Sequence, residues 1–188
     1  IQMSFLIIVA NFTLFLFLLF NSTVSDKIRN CFIVGSGISL AMLMCNIIMY
    51  TYQGTGTNLL LLKVTTAVSY GISGPVILPF IFISSVIGKK VRIIIQALAV
   101  INIVLCFISI FNGCVFKFDD NGNMTLSTFA AVPFIFSAMY LAVLLAASFI
   151  KYRLGFRMES LFLTVLSVAI FTATYLNTFL HYKYLISG

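Results

Sequence analysis

Six apolar runs divide the chain, at residues 1–20, 32–53, 61–87, 93–111, 128–150 and 160–180, with short polar connections between them. Each is long enough to cross the hydrocarbon core of a bilayer as a helix, which takes about 20 residues. Backbone at that depth has no water to pair with, so each run must satisfy its own polar groups by coiling. The pattern predicts an all-α, polytopic membrane helix bundle forming a single domain over residues 1–188.

The third run contains a stretch where helical self-sufficiency fails. In Tyr70-Gly71-Ile72-Ser73-Gly74-Pro75-Val76-Ile77-Leu78-Pro79-Phe80, Pro75 and Pro79 carry no N–H, so the carbonyls of Gly71 and Pro75 lose their intrahelical partners. A kink near the bilayer centre is expected. The freed carbonyls need neighbouring helices, hydroxyls or trapped water, and Ser69, Tyr70 and Ser73 stand nearest in the chain. Gly71, Gly74, Pro75 and Pro79 therefore read in two ways: as a kink that only shapes packing, or as a hinge beside a ligand cavity.

Polar residues inside the runs are costly unless partnered, so Asn11, Asn46, Gln96 and Asn102 are expected to face the bundle interior. In the sixth run Ala169, Ala173, Asn177 and His181 recur every four residues and fall along one stripe, which could line an outward-opening pocket. Asn177, His181, Tyr70 and Asn102 are the candidate ligand contacts; for the asparagines, hydrogen bonding between helices is the competing role. Ala138, Ala142 and Ala146 in the fifth run, and Gly37 and Ala41 in the second, read as seams for close helix packing. Between the fourth and fifth runs, Val115 to Phe118 followed by Asp-Asn-Gly reads as a strand entering a tight turn, and so as a small hairpin capping the bundle.

Composition agrees with the pattern. Hydrophobic residues make up 62% of the chain and charged residues 8%, against about a quarter charged in soluble domains. The net charge of +7 would point to nucleic acid in a soluble protein, but here its placement matters more, and no nucleic-acid partner is expected. Eight of the eleven basic residues fall in three alternate connections, 21–30, 88–92 and 151–159. The positive-inside rule makes these cytoplasmic and sets the amino terminus outside the cell membrane. Lys63 then lies at the outer end of the third run, where its stem can snorkel to the headgroups. Six spans that start outside also end outside; a seventh would return the chain to the cytoplasm, and a chain opening at Ile1 without a signal peptide reads as a piece of a longer protein. Cys31, Cys45, Cys106 and Cys114 are scattered without metal-ligand spacing, so neither a disulfide framework nor a metal site is expected.

Motifs for catalysis do not occur. There is no phosphate loop, no His-Glu-x-x-His and no nucleophile elbow, and none of the four acidic residues lies within an apolar run. No catalytic residue and no cofactor is therefore assigned. Asp119 and Asp120 fall short of a calcium loop, which needs a glycine at its sixth position and a distant Glu. Asn123-Met124-Thr125 is a glycosylation sequon that would matter only in a eukaryote.

The proline-bearing third helix, the basic turn after it, a fourth helix rich in Ile and Asn, the loop Phe116-Lys117-Phe118-Asp119-Asp120-Asn121-Gly122-Asn123 and the Tyr140-bearing fifth helix together resemble the N-terminal seven-helix sensor region of bacterial signalling proteins. That resemblance implies a missing seventh helix and a cytoplasmic diguanylate cyclase (GGDEF) or histidine kinase domain beyond it. It further implies a small-molecule or peptide ligand, or the lipid bilayer itself, as the signal, and possible homodimers. The competing expectation is a six-helix substrate-binding membrane subunit of a vitamin-type transporter; a fragment of a eukaryotic seven-helix receptor is disfavoured by the absence of Trp and of its Asp-Arg-Tyr and Asn-Pro-x-x-Tyr motifs.

Overall fold

The computed structural model describes residues 26–157, Phe12, Thr13 and Leu16, and seven helical positions between 160 and 168. Four antiparallel passes follow one another. They are α1 (Asp26–Tyr52), a broken pass made of α2 (Leu59–Ser73), a 3-10 turn (Pro75–Ile77) and α3 (Leu78–Ile83), then α4 (Lys89–Asn112) and α5 (Val132–Arg153). From Arg29 onward α1 is long and apolar enough to cross a membrane, as are α4 and α5; the bent pass is a fourth candidate if taken as one span. The expected first span, 1–20, and most of the sixth, 160–180, lie outside the described residues.

Beside an apolar core, the described helices expose many large apolar side chains and bury several polar ones. Large apolar residues of α4 such as Ile94, Val100, Val104, Phe107 and Phe111 are exposed, while Thr65, Thr66, Ser69, Asn102, Ser109 and Ser148 are buried. In lipid there is no hydrophobic gain from hiding Ile or Phe, so helices associate through small and polar residues instead. This partition suits a hydrocarbon surrounding.

One end of the bundle is closed by the expected hairpin. Strands β1 (Phe116–Phe118) and β2 (Met124–Leu126) pair antiparallel with Lys117 opposite Thr125. Their inner face packs Val115, Phe116 and Met124 into a buried cluster with Met49, Ala67 and Cys106. The tip is tied to the α1–α2 connection, where Gly56 N–H donates to Asn121 O at 2.8 Å. Ser109 organises the base: its Oγ accepts from the N–H groups of Val115 (3.0 Å) and Phe116 (3.1 Å) and donates to Phe116 O (3.1 Å). Gly113, at φ +66°, ends α4 in a left-handed turn whose N–H donates to Ser109 O, a conformation that glycine adopts without strain.

The opposite end carries most of the described basic residues, Lys63 and Lys117 lying toward the hairpin. Arg29 pairs with Asp26 at 2.6 Å. Arg92 donates through Nε to Ile87 O at 3.0 Å, and Lys151 stacks its Nζ 4.7 Å from the Phe156 ring centre. Here α5 also meets the helical residues after 157, through Ser148 Oγ donating to Ser160 O at 2.8 Å and a 2.7 Å contact with Thr164 Oγ1.

Several expectations are corrected. The fifth helix begins at Val132 rather than 128, because the residues before it turn back onto the hairpin (Phe129 N–H to Cys114 O, 3.0 Å) and Pro133 sits in the first turn, where its missing N–H costs nothing. Gln96 is exposed on α4 instead of facing inward. Ala138, Ala142 and Ala146 are exposed; the buried stripe of α5 is Tyr140, Leu144, Ala147, Ser148 and Lys151. In α1 nothing approaches Gly37, whereas a Cβ on Gly35 would lie 2.9 Å from Cζ of Phe80.

Candidate functional site at the helix break

The two prolines shape the central pass as their chemistry requires. α2 ends at Ser73, and the following helical segment is inclined to it by 43°. Past the break the backbone tightens to 3-10 spacing, with Ile77 N–H donating to Gly74 O at 3.1 Å and Leu78 N–H to Pro75 O. The carbonyl freed by Pro79 is thus recovered within its own pass. The one freed by Pro75 is not.

A neighbouring helix supplies its partner. Asn102 Nδ2 donates to Gly71 O at 3.0 Å and to Tyr70 O at 3.3 Å, while Ser73 Oγ donates to Tyr70 O at 2.8 Å. Of the hydroxyls expected to help, Ser73 does so; Ser69 instead donates to Asn46 Oδ1 on α1 at 2.8 Å. Asn102 reaches the break because it belongs to the buried stripe of α4, Ile95, Ala99, Asn102, Cys106 and Ser109, which repeats at helical spacing. Gly71 itself lies against α4, where a Cβ on it would stand in ordinary contact, 3.5 Å from Cα of Ile103.

Gly74 receives α5 in the same way. A Cβ on Gly74 would lie 2.7 Å from Cε2 of Tyr140 and 3.2 Å from Ser137 Oγ. Pro75 and Pro79 are buried at the junction, so the four hinge candidates follow one another along the nine residues 71–79 that make the bend. The Tyr70 ring packs edge-on against Phe134 of α5, 5.9 Å between centres, and at 6.3 Å from Phe116 of the hairpin. Tyr70 and Asn102 are therefore brought to one place, through the Tyr70 carbonyl and not its phenol. Asn177 and His181 lie outside the described residues.

Two site residues escaped the sequence. Tyr140 enters the sequence pattern only as a feature of the resemblance, and Ser109 not at all; only the fold puts them against a glycine and a hairpin. No Asp, Glu, Lys, Arg or His lies within seven residues of Gly71, Asn102 or Tyr140, so these three segments offer hydrogen bonds but no charge. Among the described residues no three His, Cys, Asp or Glu side chains gather as a metal set would require. No protein family matches the chain, and neither a curated protein nor a solved structure matches it.

Proposed function

We propose that the chain is the membrane-embedded sensory input region of a bacterial signal-transduction protein. In this reading six spans, completed by a seventh, pass an extracellular or membrane-borne signal to a cytoplasmic diguanylate cyclase or histidine kinase. The basic connections 21–30, 88–92 and 151–159 face the cytoplasm, and the hairpin and the amino terminus face outward. The signal is a small molecule, a peptide or the state of the bilayer, and the working unit is a homodimer.

The observation that carries the reading is the Asn102 bond to Gly71 O at the break. A carbonyl held by a side chain from another helix can change partner when the helices shift, whereas one held by its own helix cannot. A signal moves such an equilibrium only through different contacts in its two states, and a bent pass with an external partner supplies two distinguishable arrangements. The hairpin packed over Tyr70, Cys106 and Met49 weighs against the alternative of a solute-binding transport subunit open at that end.

The test has two arms. Reading the gene downstream of Gly188 is expected to reveal a seventh apolar span and a cyclase or kinase domain; a stop codon there overturns the signalling assignment. In the intact protein, Pro75→Ala with Pro79→Ala restores two N–H donors and is expected to reduce the 43° bend. Basal output of the cyclase or kinase should change with it, by several-fold. A folded double variant with a straightened pass and unaltered output would remove the break from the mechanism.

A further inference from the structure

Three buried side-chain atoms among the described residues have no hydrogen-bond partner in the chain: Thr66 Oγ1, Asn102 Oδ1 and Tyr140 OH. Two of them converge on the break. Asn102, fully buried, arrives from α4 onto Gly71, and Tyr140, 1% exposed, arrives from α5 with its ring edge against Gly74. Gly71 and Gly74 are three residues apart, about 4.5 Å of helical rise. Tyr140 also shares an apolar cluster with Ala99, which precedes Asn102 by one turn on the buried stripe of α4. The two side chains that carry these atoms thus approach neighbouring positions of one backbone segment from two sides.

Burying an amide oxygen and a phenol unpaired is unfavourable, the more so in hydrocarbon, and native folds seldom leave such groups alone. Whatever pairs them must donate to Asn102 Oδ1, which can only accept, and must accept from or donate to Tyr140 OH. The segments that meet here carry no Asp, Glu, Lys, Arg or His within seven residues of these positions, so they offer no charge to hold an ion, and a neutral partner suits them. It must be small, since the Tyr140 ring already closes on Gly74. Water meets all four conditions, and ordered water is a recognised partner for backbone freed by Pro and Gly in membrane helices.

We propose that the break holds an internal water bridging Asn102 Oδ1 and Tyr140 OH. Asn102 then serves both sides of the junction: its Nδ2 satisfies the carbonyl released by Pro75, and its Oδ1 holds the water that links α4 to α5. The site does not depend on the sensory reading and stands or falls without it.

The test uses the full chain in lipid bilayers. Water-edited solid-state NMR should show magnetisation passing from water to the Asn102 side-chain amide and the Tyr140 ring well before it reaches Leu144, one turn further along α5 and fully buried. Equal, slow build-up at all three overturns the proposal. Tyr140→Phe keeps the ring and removes only the hydroxyl, so it separates the two cases by sign. With a bridging water, the variant lowers the unfolding midpoint by about 3 °C, and its effect is non-additive with that of Asn102→Leu because both remove one bridge. Without one, Phe relieves an unpaired buried hydroxyl; an unchanged or raised midpoint overturns the proposal.

Discussion

At Ser109 and at Asn102, seven residues apart on α4, a side chain takes over hydrogen bonding that the main chain cannot provide for itself. At the hairpin end, Ser109 uses its full capacity: one O–H given to Phe116 O and two N–H groups accepted, all on residues 115 and 116. At the break, Asn102 gives its amide N–H groups to Tyr70 O and Gly71 O on another helix and leaves Oδ1 without a partner in the chain. The first network is local and closed; the second is long-range and half used. A closed network fixes a shape, since any movement breaks a bond with nothing to replace it. One whose remaining acceptor is met by an exchangeable water can trade partners as the helices shift, which is what a hinge needs.

The sharpest way to break this contrast is Ser109→Ala. It leaves two buried N–H groups unpaired at once, an expected loss of about 3 kcal/mol. Equilibrium unfolding in detergent micelles measures the loss, and amide exchange should localise it to Val115 and Phe116. A cost spread evenly over α2 and α4 would mean that the hairpin is no separate closed unit.

Next in size is Gly74→Ala. The added methyl meets the Tyr140 ring at 2.7 Å, and an edge-packed aromatic cannot yield without displacing α5, so overpacking of about 2 kcal/mol is expected. Gly37→Ala is the control. Nothing lies within 4 Å of its Cβ position, and the better helix propensity of Ala should make it neutral or stabilising. Equal costs at the two glycines would remove the claim that α2 and α5 meet intimately at the break.

How far the sequence foretold this division follows from the range of the interactions. The break itself was legible because proline acts on its own chain: the missing N–H names the orphaned carbonyl, Gly71, before any fold is known. The hairpin was legible for the same reason, from Val115 to Phe118 and the Asp-Asn-Gly that follows. Asn102 was legible only as a polar residue needing a partner; which partner depended on the register of α4 against α2. Ser109 was not legible at all, and Tyr140 only as a feature of the resemblance without a role, since their roles come from residues on other elements. The alanine stripe at 138, 142 and 146 misled because small residues at helical spacing mark a face without saying whether another helix or lipid covers it, and here the bulkier Tyr140 and Leu144 face the described helices.

The smallest expected effect separates the two regions by pH. In the hairpin turn Asn123 Nδ2 donates to Asp119 Oδ2 at 2.9 Å and Asn123 N–H to Oδ1 at 2.7 Å. The side-chain bond from Asn123, reinforced by its backbone N–H, holds the Asp119 carboxyl below its ordinary value. A depressed folded pKa contributes stability that is present above the unfolded value, about pH 4, and is lost as pH falls through the lowered folded value. The Asn123 side-chain amide resonance should therefore stay constant above about pH 4 and shift as Asp119 takes up its proton at more acidic pH; Asp119→Asn should abolish the shift. The break has no carboxylate within seven residues of Gly71, Asn102 or Tyr140, so the bend measured by paired spin labels across it should not respond over the same window. A bend that followed the Asp119 titration would mean that the hairpin and the break move as one unit, and the closed end would then be part of the hinge.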